Sequence, residues 1–274
     1  MHKLTTTEEL TEMASTVRQD VIKMLLAAGS GHPAGSLSST EIFVALYFFI
    51  MRHDPKKPFW EERDRLIVSH GHTCPGLYSA MAEAGYFSKA KLKTYAALGS
   101  PLQGHPERFR LPGIETTSGP LGCGLAQASG YALAARMDGA RFRVYCTTSD
   151  GEHNEGNHWE AVLFAGKYKL ANLTLFVDRN HIQIDGTTEQ VLPLTSLVDK
   201  YKTFGWNSLE IDGHNFEEII SAVDKARKFY EGPTVIIANT VAGKGVSFME
   251  GKSEWHAKAP NKKEAVEALK QLKV

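Results

Sequence analysis

Cysteine is scarce in this chain, which also lacks a long apolar run and an excess of either charge. Its 274 residues include three cysteines, Cys74, Cys123 and Cys146, none of which stands in a Cys-x-x-Cys motif. Because three cysteines cannot all pair with one another, a fully disulfide-bonded scaffold is excluded. The sequence therefore predicts a protein of the reducing cytoplasm.

Charge and apolar patterning argue against two further classes of protein. Lys and Arg number 31, as do Asp and Glu, and no basic stripe is present, so we expect no nucleic-acid partner. The longest apolar stretch, 42–51, is too short to span a bilayer and follows Ser-Ser-Thr-Glu at 38–41, a good helix start. Residues 1–10 are polar and acidic, unlike a signal peptide. We expect a buried helix at 40–52 and no membrane association.

The middle of the chain predicts a strand, a helix and a second strand. Residues 142–148 and 173–177 are rich in β-branched and aromatic residues, and the segment between them carries apolar residues at helical spacing. Such a unit places its two strands parallel in one sheet. The other predicted elements are helices at 8–28, 76–85, 123–137 and 215–230, and strands at 66–68, 206–211 and 234–240, with an ordered functional loop at 100–122.

Polar side chains follow both of these predicted strands. Ser149-Asp150-Gly151 ends the first apolar run and Asp178-Arg179-Asn180 ends the second. Loops at the carboxyl ends of adjacent parallel strands lie side by side, so an acid and an amide can converge there on one hard cation with room for phosphate oxygens. An Asp-Gly pair is also common in ordinary turns, so the spacing alone leaves both interpretations open.

The motifs along the whole chain are more specific than this pair of polar segments. The stretch from Ser149-Asp150-Gly151 through Asp178-Arg179-Asn180 to Ile184-Asp185-Gly186 resembles the thiamine diphosphate motif of transketolases. Further blocks occur in the order of that family's first domain: Ser30-Gly31-His32-Pro33, Ser69-His70-Gly71-His72, Gly104-His105-Pro106, Thr117-Ser118-Gly119-Pro120-Leu121-Gly122, Asp212-Gly213-His214 and Glu254-Trp255-His256. The resemblance implies a three-layer helix-sheet-helix fold with a mostly parallel central sheet, and a single diphosphate-binding domain over 1–274.

The resemblance also implies a ligand set for thiamine diphosphate and Mg²⁺. Asp150 and Asn180 would bind the metal through side-chain oxygens and Ile182 through its backbone carbonyl, and hard oxygen ligands suit Mg²⁺. Gly151 would let the backbone approach the diphosphate closely.

The remaining implied residues contact the cofactor or the substrate. His72 and His256 match diphosphate-contacting histidines, and the loop Gly119, Pro120 and Leu121 resembles the one that lies against the aminopyrimidine. The residues implied in catalysis are His32 and His105 beside the substrate channel, His256, and Glu155, which matches a glutamate in a carboxylate network between two cofactor sites.

The resemblance implies a second polypeptide. Transketolases are about twice this length or more, and the glutamate that activates the cofactor lies on their pyrimidine-binding domain. Asn261 to Glu264 is read as a capping box that opens a short amphipathic helix within 262–274, with Val266 and Leu269 on one side. We therefore expect the amino-terminal subunit of a split transketolase, acting on sugar phosphates in the pentose phosphate pathway. It would be active only with a second chain carrying the pyrimidine-binding and carboxyl-terminal domains, as two copies of each.

Two positions depart from the family pattern. Ser149 stands where glycine is usual, which would be unfavourable if that position needs a positive φ. Ala242 stands where a basic residue is frequent, so one substrate or cofactor contact is in doubt, and Lys244 is not an assured replacement.

Other interpretations stay open. The alternative functions are the cofactor subunit of another thiamine enzyme, such as a transketolase for an unusual sugar, a synthase or an oxo-acid dehydrogenase, and a non-catalytic cofactor-binding remnant. His70, His72 and Cys74 could suggest zinc but lack a second ligand cluster. His214 is expected to be a turn residue, and His153 and His158 are expected to be solvated.

Overall fold

A five-stranded sheet, all parallel, forms the centre of the computed structural model, which describes residues 3–273. Its strands lie in the order β1-β2-β3-β7-β6. A separate antiparallel pair is formed by β4 and β5. The strands are β1 (Arg65–Val68), β2 (Val144–Ser149), β3 (Leu173–Arg179), β4 (Ile182–Gln183), β5 (Gly186–Thr187), β6 (Asn207–Asp212) and β7 (Thr234–Asn239).

Helices cover both faces of this sheet. They are α1 (Thr7–Ala28), α2 (Pro33–Ser38), α3 (Thr40–Ala45), α4 (Cys74–Glu83), α5 (Gly124–Met137), α6 (Gly156–Lys167), α7 (Thr188–Val191), α8 (Leu197–Thr203), α9 (Phe216–Lys228) and α10 (Lys262–Gln271). Because successive strand residues point to opposite faces, Tyr145 and Phe176 pack in one core cluster while Cys146 and Leu175 pack in another. The predicted three-layer α/β fold with a parallel sheet is confirmed.

The observed elements differ from the predicted ones in a few places. β3 continues through Asp178 and Arg179, so only Asn180 of that motif stands in the following loop. The helix predicted at 40–52 is α3 followed by a π-helical turn at Leu46–Ile50, and of the apolar residues from 42 to 51 only Phe49 is not buried. Throughout residues 3–273, no helix combines the length and apolar character needed to cross a membrane.

The last helix packs through small side chains. Asn261 caps α10 and forms the expected capping box with Glu264. Ala265 and Ala268 are the buried residues and Leu269 packs beside them, whereas Val266 is 69% exposed, so the expectation that Val266 and Leu269 share one side is wrong. Alanines allow the helix to approach α1 closely, and a larger residue is not needed there.

Candidate functional site

Asp150 stands where β2 and β3 end side by side. The two strands pair in parallel with Ser149 opposite Asp178, which brings the segment after β2 next to the segment after β3. The Asp150 carboxylate is fully buried and accepts hydrogen bonds of 2.7 Å from the backbone N–H of Gly151 and of His181. The Arg179 guanidinium lies 3.3 Å from the same carboxylate.

Asn180 is held in one orientation by a buried acid. Its amide nitrogen donates to Asp178 Oδ2 at 3.2 Å and to Ser38 Oγ at 3.3 Å, and its Oδ1 accepts from the backbone N–H of Ile182 at 3.0 Å. Asp178 is itself held by the hydroxyls of Ser38, Ser39 and Thr240. The network therefore fixes which amide atom is the oxygen, and that oxygen keeps a lone pair for a further partner.

The electrostatics of this edge favour a cation. Burial, and next the charge of Asp178, raise the pKa of Asp150 to about 7, against the opposing effect of Arg179. Burying an incompletely compensated carboxylate is costly, and a divalent cation would supply the missing charge. Two further buried acceptors at the adjoining cavity, Asn154 Oδ1 and Gln183 Oε1, have no hydrogen-bond partner. The oxygen-only set fits a hard ion such as Mg²⁺.

The zinc alternative finds no support. Residues 3–273 contain no group of three or more His, Cys, Asp and Glu side chains placed to hold a metal. Cys74 is buried, its thiol donates to the carbonyl of Gly104 at 3.1 Å, and burial raises its pKa well above the usual value. A neutral, hydrogen-bonded thiol is a poor zinc ligand.

A cavity of about 170 Å³ opens beside this edge. Six of its lining residues belong to the predicted cofactor set: His72, Leu121, Gly151, Asn180, Ile182 and His256. Glu155 also lines the cavity, although its side chain is exposed. It lies close to Gly122, because a Cβ atom added to that glycine would be 2.7 Å from the Glu155 Cβ. Pockets that enclose a ligand of this size class usually exceed about 300 Å³, so the chain encloses only part of such a ligand.

Four histidines gather at the cavity and are called here the cavity cluster: His32, His72, His105 and His256. Ring centroids of His32 lie 5.4, 6.2 and 5.5 Å from those of His72, His105 and His256. Burial, and then the neighbouring rings, lower the pKa of His32 to about 4, and burial also lowers the pKa of the other three. The rings are therefore neutral near pH 7, and each can donate or accept one proton.

The loop before α5 needs glycine at two positions. Gly119 has a φ of +137° and packs against the His105 ring, with an added Cβ 3.5 Å from it. Gly122 has a φ of +79°, and an added Cβ would lie 2.1 Å from Asn157 Oδ1. Pro120 between them is exposed while Leu121 faces the cavity. The loop thus places Leu121 at the cavity wall, and neither Gly119 nor Gly122 could carry a side chain in this conformation.

The hairpin after Asn180 is strained. His181 and Ile184 adopt φ values of +65° and +41°, a conformation that is rare for a non-glycine residue and unfavourable for a β-branched one. Ile184 is 61% exposed and lines the cavity. Such strain costs about 1–3 kcal/mol and collects at ligand sites, which fits the place of this hairpin.

The expectation that His153 and His158 are solvated is wrong. They are called here the buried pair, with exposures of 2% and 0%. His153 Nδ1 donates to the Ser149 carbonyl at 2.9 Å, which leaves its Nε2 to accept from the Tyr201 hydroxyl at 2.8 Å. The Tyr201 oxygen accepts from His158 Nε2 at 2.7 Å. The sequence offers no local signal for this chain of bonds, because Tyr201 is distant along it.

His214 is more than a turn residue. Its Nδ1 lies 3.0 Å from Glu41 Oε2, and its Nε2 accepts from the backbone N–H of Val241 at 2.9 Å. Glu41 in turn makes a buried ion pair with Arg18. The histidine therefore ties the segment after β7 to α1 and α3.

The two departures from the family pattern have structural answers. Ser149 is the last residue of β2 and does not have a positive φ, so its side chain costs nothing there. Ala242 is 1% exposed and gives the cavity an apolar wall, whereas Lys244 is not among the residues that line the cavity.

A parallel sheet carries buried oxygen side chains, a glycine turn and a neutral histidine cluster at its carboxyl edge, which is the edge where α/β domains bind phosphate-bearing cofactors. The family described as transketolase, thiamine diphosphate binding domain, matches residues 10–273. The chain belongs to this family.

Relatives of two lengths match the chain. The 6-deoxy-6-sulfo-D-fructose transketolase subunit of Clostridium sp. is 44% identical over 248 residues, which are 90% of each chain. An apulose-4-phosphate transketolase subunit of Phocaeicola vulgatus is 40% identical over 93% of this chain and 90% of its own. The crystal structure of transketolase from Campylobacter jejuni superimposes with a TM-score of 0.92 at 34% identity, covering 98% of this chain but 43% of that one.

Proposed function

We propose that this chain is the amino-terminal, diphosphate-binding subunit of a transketolase that transfers a two-carbon ketol unit from a ketose phosphate to an aldose phosphate. The observation that carries the proposal is the pairing of Asp150 and Asn180 at the carboxyl ends of adjacent strands, beside a cavity. The similarity to relatives named as transketolase subunits supports it.

Thiamine diphosphate and Mg²⁺ would be held at the edge of β2 and β3. Asp150 and Asn180 would bind the metal through side-chain oxygens and Ile182 through its carbonyl, while Gly151 admits the diphosphate. His72 and His256 would donate to phosphate oxygens, and Gly119, Pro120 and Leu121 would lie against the aminopyrimidine. When bound, the cofactor supplies the electron sink for carbon–carbon bond cleavage.

Substrate chemistry would fall to neutral histidines. His32 and His105 stand beside the cavity rather than in its walls, and their rings lie 6.2 Å apart. Burial of His32, and the lesser desolvation of the exposed His105, lower the pKa of both rings, so they can hydrogen-bond sugar hydroxyls and hold or pass a proton near pH 7. His256, whose ring is 5.5 Å from His32, would orient the same end of the substrate.

The proposal includes a partner subunit. The cavity is smaller than most ligand pockets, and the chain spans less than half of the solved transketolase. We propose that pyrimidine-binding and carboxyl-terminal domains on a second polypeptide close the site, with two copies of each chain, and that Glu155 at the cavity rim faces that junction. A cytoplasmic location in carbohydrate metabolism, with the pentose phosphate pathway as the reference case, fits the three free cysteines.

The activity test compares this chain alone with the chain plus a candidate partner subunit. Two-carbon transfer from xylulose 5-phosphate to ribose 5-phosphate is measured with thiamine diphosphate and Mg²⁺. Activity only in the mixture is expected. Since the two relatives named above carry 6-deoxy-6-sulfo-D-fructose and apulose 4-phosphate in their names, the same mixture is assayed with these two sugars as donors. Cofactor binding without transfer from any of these donors would instead favour another thiamine-dependent reaction.

The metal site has its own test. Asp150→Ala removes the charged ligand and is expected to abolish magnesium-dependent binding of thiamine diphosphate, measured by calorimetry. Asp199→Ala, an exposed acid in the first turn of α8, is the matched control and should bind as the wild type does. Wild-type affinity in Asp150→Ala would show that the metal binds elsewhere.

A further inference from the structure

We propose that Glu152 is a positioning residue that holds the two ends of the cofactor site in register, by joining the turn that carries Asp150 to the loop that carries Leu121. The inference rests on the proposed function and deepens it, because it names a residue that acts through others and that the family resemblance did not point to. Glu152 is fully buried and lies two residues after Asp150.

One carboxylate joins three separate segments. Glu152 Oε1 accepts from the backbone N–H of Gly122 at 2.6 Å and from the Ser69 hydroxyl, and Oε2 accepts from the backbone N–H of Ser149 at 3.3 Å. Ser69 follows β1 and is 83 positions from Glu152, and Gly122 lies in the loop before α5, 30 positions away. Bonds between segments so distant along the chain fix tertiary geometry rather than local structure.

The carboxylate also supports the amino terminus of α5, through the Ser69 hydroxyl. Cys123, the residue before this 14-residue helix, makes no side-chain cap, so the first-turn N–H groups must find other acceptors. Gly124 N donates to Ser69 Oγ at 2.9 Å, and Ser69 passes the hydrogen bond on to Glu152. An anion at a helix amino terminus is stabilised by the exposed N–H groups and the helix dipole.

The backbone before and at the start of α5 is closely packed. A Cβ added to Gly124 would lie 2.4 Å from the Ser69 Cβ, and one added to Gly122 would lie 2.1 Å from Asn157 Oδ1. Glycine at both positions lets the backbone come close enough for the carboxylate to reach it. A side chain at either glycine would push the loop away from the carboxylate.

Two contacts of Glu152 lie one residue away from proposed cofactor contacts. Ser149 precedes the proposed metal ligand Asp150, and Gly122 follows Leu121, which lines the cavity. A change at Glu152 thus moves the diphosphate end and the aminopyrimidine end of the site relative to each other.

The test is Glu152→Gln, which keeps the volume but turns one acceptor atom into a donor that faces an N–H or O–H group. In the complex with the partner subunit, the affinity for thiamine diphosphate at saturating Mg²⁺ should fall about tenfold to a hundredfold, with kcat at saturating cofactor much less affected. The matched control is Asp20→Asn, another buried carboxylate with a raised pKa, which pairs with Lys89 outside the cavity walls and should leave the affinity unchanged.

A second readout does not involve the cofactor. Amide hydrogen exchange at Gly122 and Gly124 in the free chain should accelerate in Glu152→Gln and stay at the wild-type rate in Asp20→Asn. If Glu152→Gln does not fold, Ser69→Ala carries the same test, because it removes the hydroxyl that links Gly124 to the carboxylate and should weaken the affinity in the same direction by a smaller factor.

The outcomes separate this inference from the proposed function. Suppose that the wild-type complex binds thiamine diphosphate and that Glu152→Gln binds it within twofold of the wild-type affinity, with unchanged amide exchange. This result would overturn the positioning role and leave the proposed function standing. A wild-type complex that binds no thiamine diphosphate would overturn the proposed function, and the exchange rates at Gly122 and Gly124 would then decide alone whether Glu152 supports the amino terminus of α5.

Discussion

The cavity cluster and the buried pair place the same side chain in opposite circumstances. In the cavity cluster, rings meet at 5.3 to 6.2 Å, and His32 Nδ1 has no hydrogen-bond partner. In the buried pair, both Nε2 atoms bond to one tyrosine hydroxyl, and His153 also holds the Ser149 carbonyl. The nitrogens of the cavity cluster are available to a ligand, whereas three of the four nitrogens of the buried pair are bonded within the fold and His158 Nδ1 has no partner.

The difference lies in what surrounds each ring rather than in the residue type. Burial lowers the pKa of His32 and of His153 to about 4 alike, so protonation does not distinguish the two sets. Unpartnered nitrogens beside a cavity are unfavourable unless something binds there, whereas the hydrogen-bond chain through the Tyr201 hydroxyl stabilises the native state. We therefore expect changes in the cavity cluster to affect activity and changes around the buried pair to affect stability.

The largest effect is expected for His105→Ala. The side chain is exposed at the cavity, so the free energy of unfolding should change by less than about 0.5 kcal/mol. Loss of a proton-carrying or hydroxyl-binding group beside the substrate should lower kcat about 10²- to 10⁴-fold in the complex with the partner subunit. Steady-state kinetics and urea unfolding measure the two quantities. A stability loss above about 1 kcal/mol with unchanged kcat would remove the distinction between the two sets.

Tyr201→Phe is expected to lower stability rather than activity. It keeps the ring but leaves His153 Nε2 without its donor and His158 Nε2 without its acceptor, both in the interior. Unsatisfied buried polar groups cost about 1–3 kcal/mol each, so we expect a loss of about 2 kcal/mol in urea unfolding.

Activity provides the contrast for the tyrosine variant. At saturating cofactor, kcat of Tyr201→Phe should stay within threefold of the wild type. Tyr230→Phe, which alters a 77% exposed tyrosine, is the matched control and should change neither quantity. A stable Tyr201→Phe protein would mean that the hydrogen-bond chain contributes nothing to the native state.

The fold was predictable because its signals are local. Apolar runs of strand length, helical spacing between them and a good start before residue 40 all fall within short windows of sequence. The strand boundaries were less predictable, because the extension of β3 to Arg179 depends on its pairing with β7 at Asn239. Val266 shows the same limit, since only the contact with α1 decides which side of α10 is buried.

The residues of the site also fall into a predictable and an unpredictable group. Residues that belong to motifs, such as Asp150 and His72, could be proposed from the sequence. The residues that hold them could not, because Glu152, Asp178 and Tyr201 act through partners that are distant along the chain. A lone histidine on a polar stretch offers no sign that a tyrosine from another helix will bury it, which is why His153 was expected to be solvated.

The smallest effect is expected in the pH dependence of stability. The pKa of His32 is about 4 in the native state, whereas an unfolded histidine titrates near 6.5. Between these values the unfolded chain binds more protons, so the contribution of neutral His32 is complete above pH 6.5 and is lost as the pH falls toward 4. His32→Asn cannot take up this proton, so its unfolding free energy should gain on that of the wild type as the pH falls. The raised pKa values of Asp150 and Glu152 act in the opposite direction but are common to both proteins and cancel in the difference.

The unfolding free energy of Tyr201→Phe should instead run parallel to that of the wild type as the pH changes, because this substitution removes a hydrogen bond and no group that titrates in this range. Urea unfolding at pH 7, 6 and 5 measures all three proteins. A constant difference between His32→Asn and the wild type would show that the pKa of His32 is the same in the native and the unfolded chain, so the fold would not be what keeps this ring neutral.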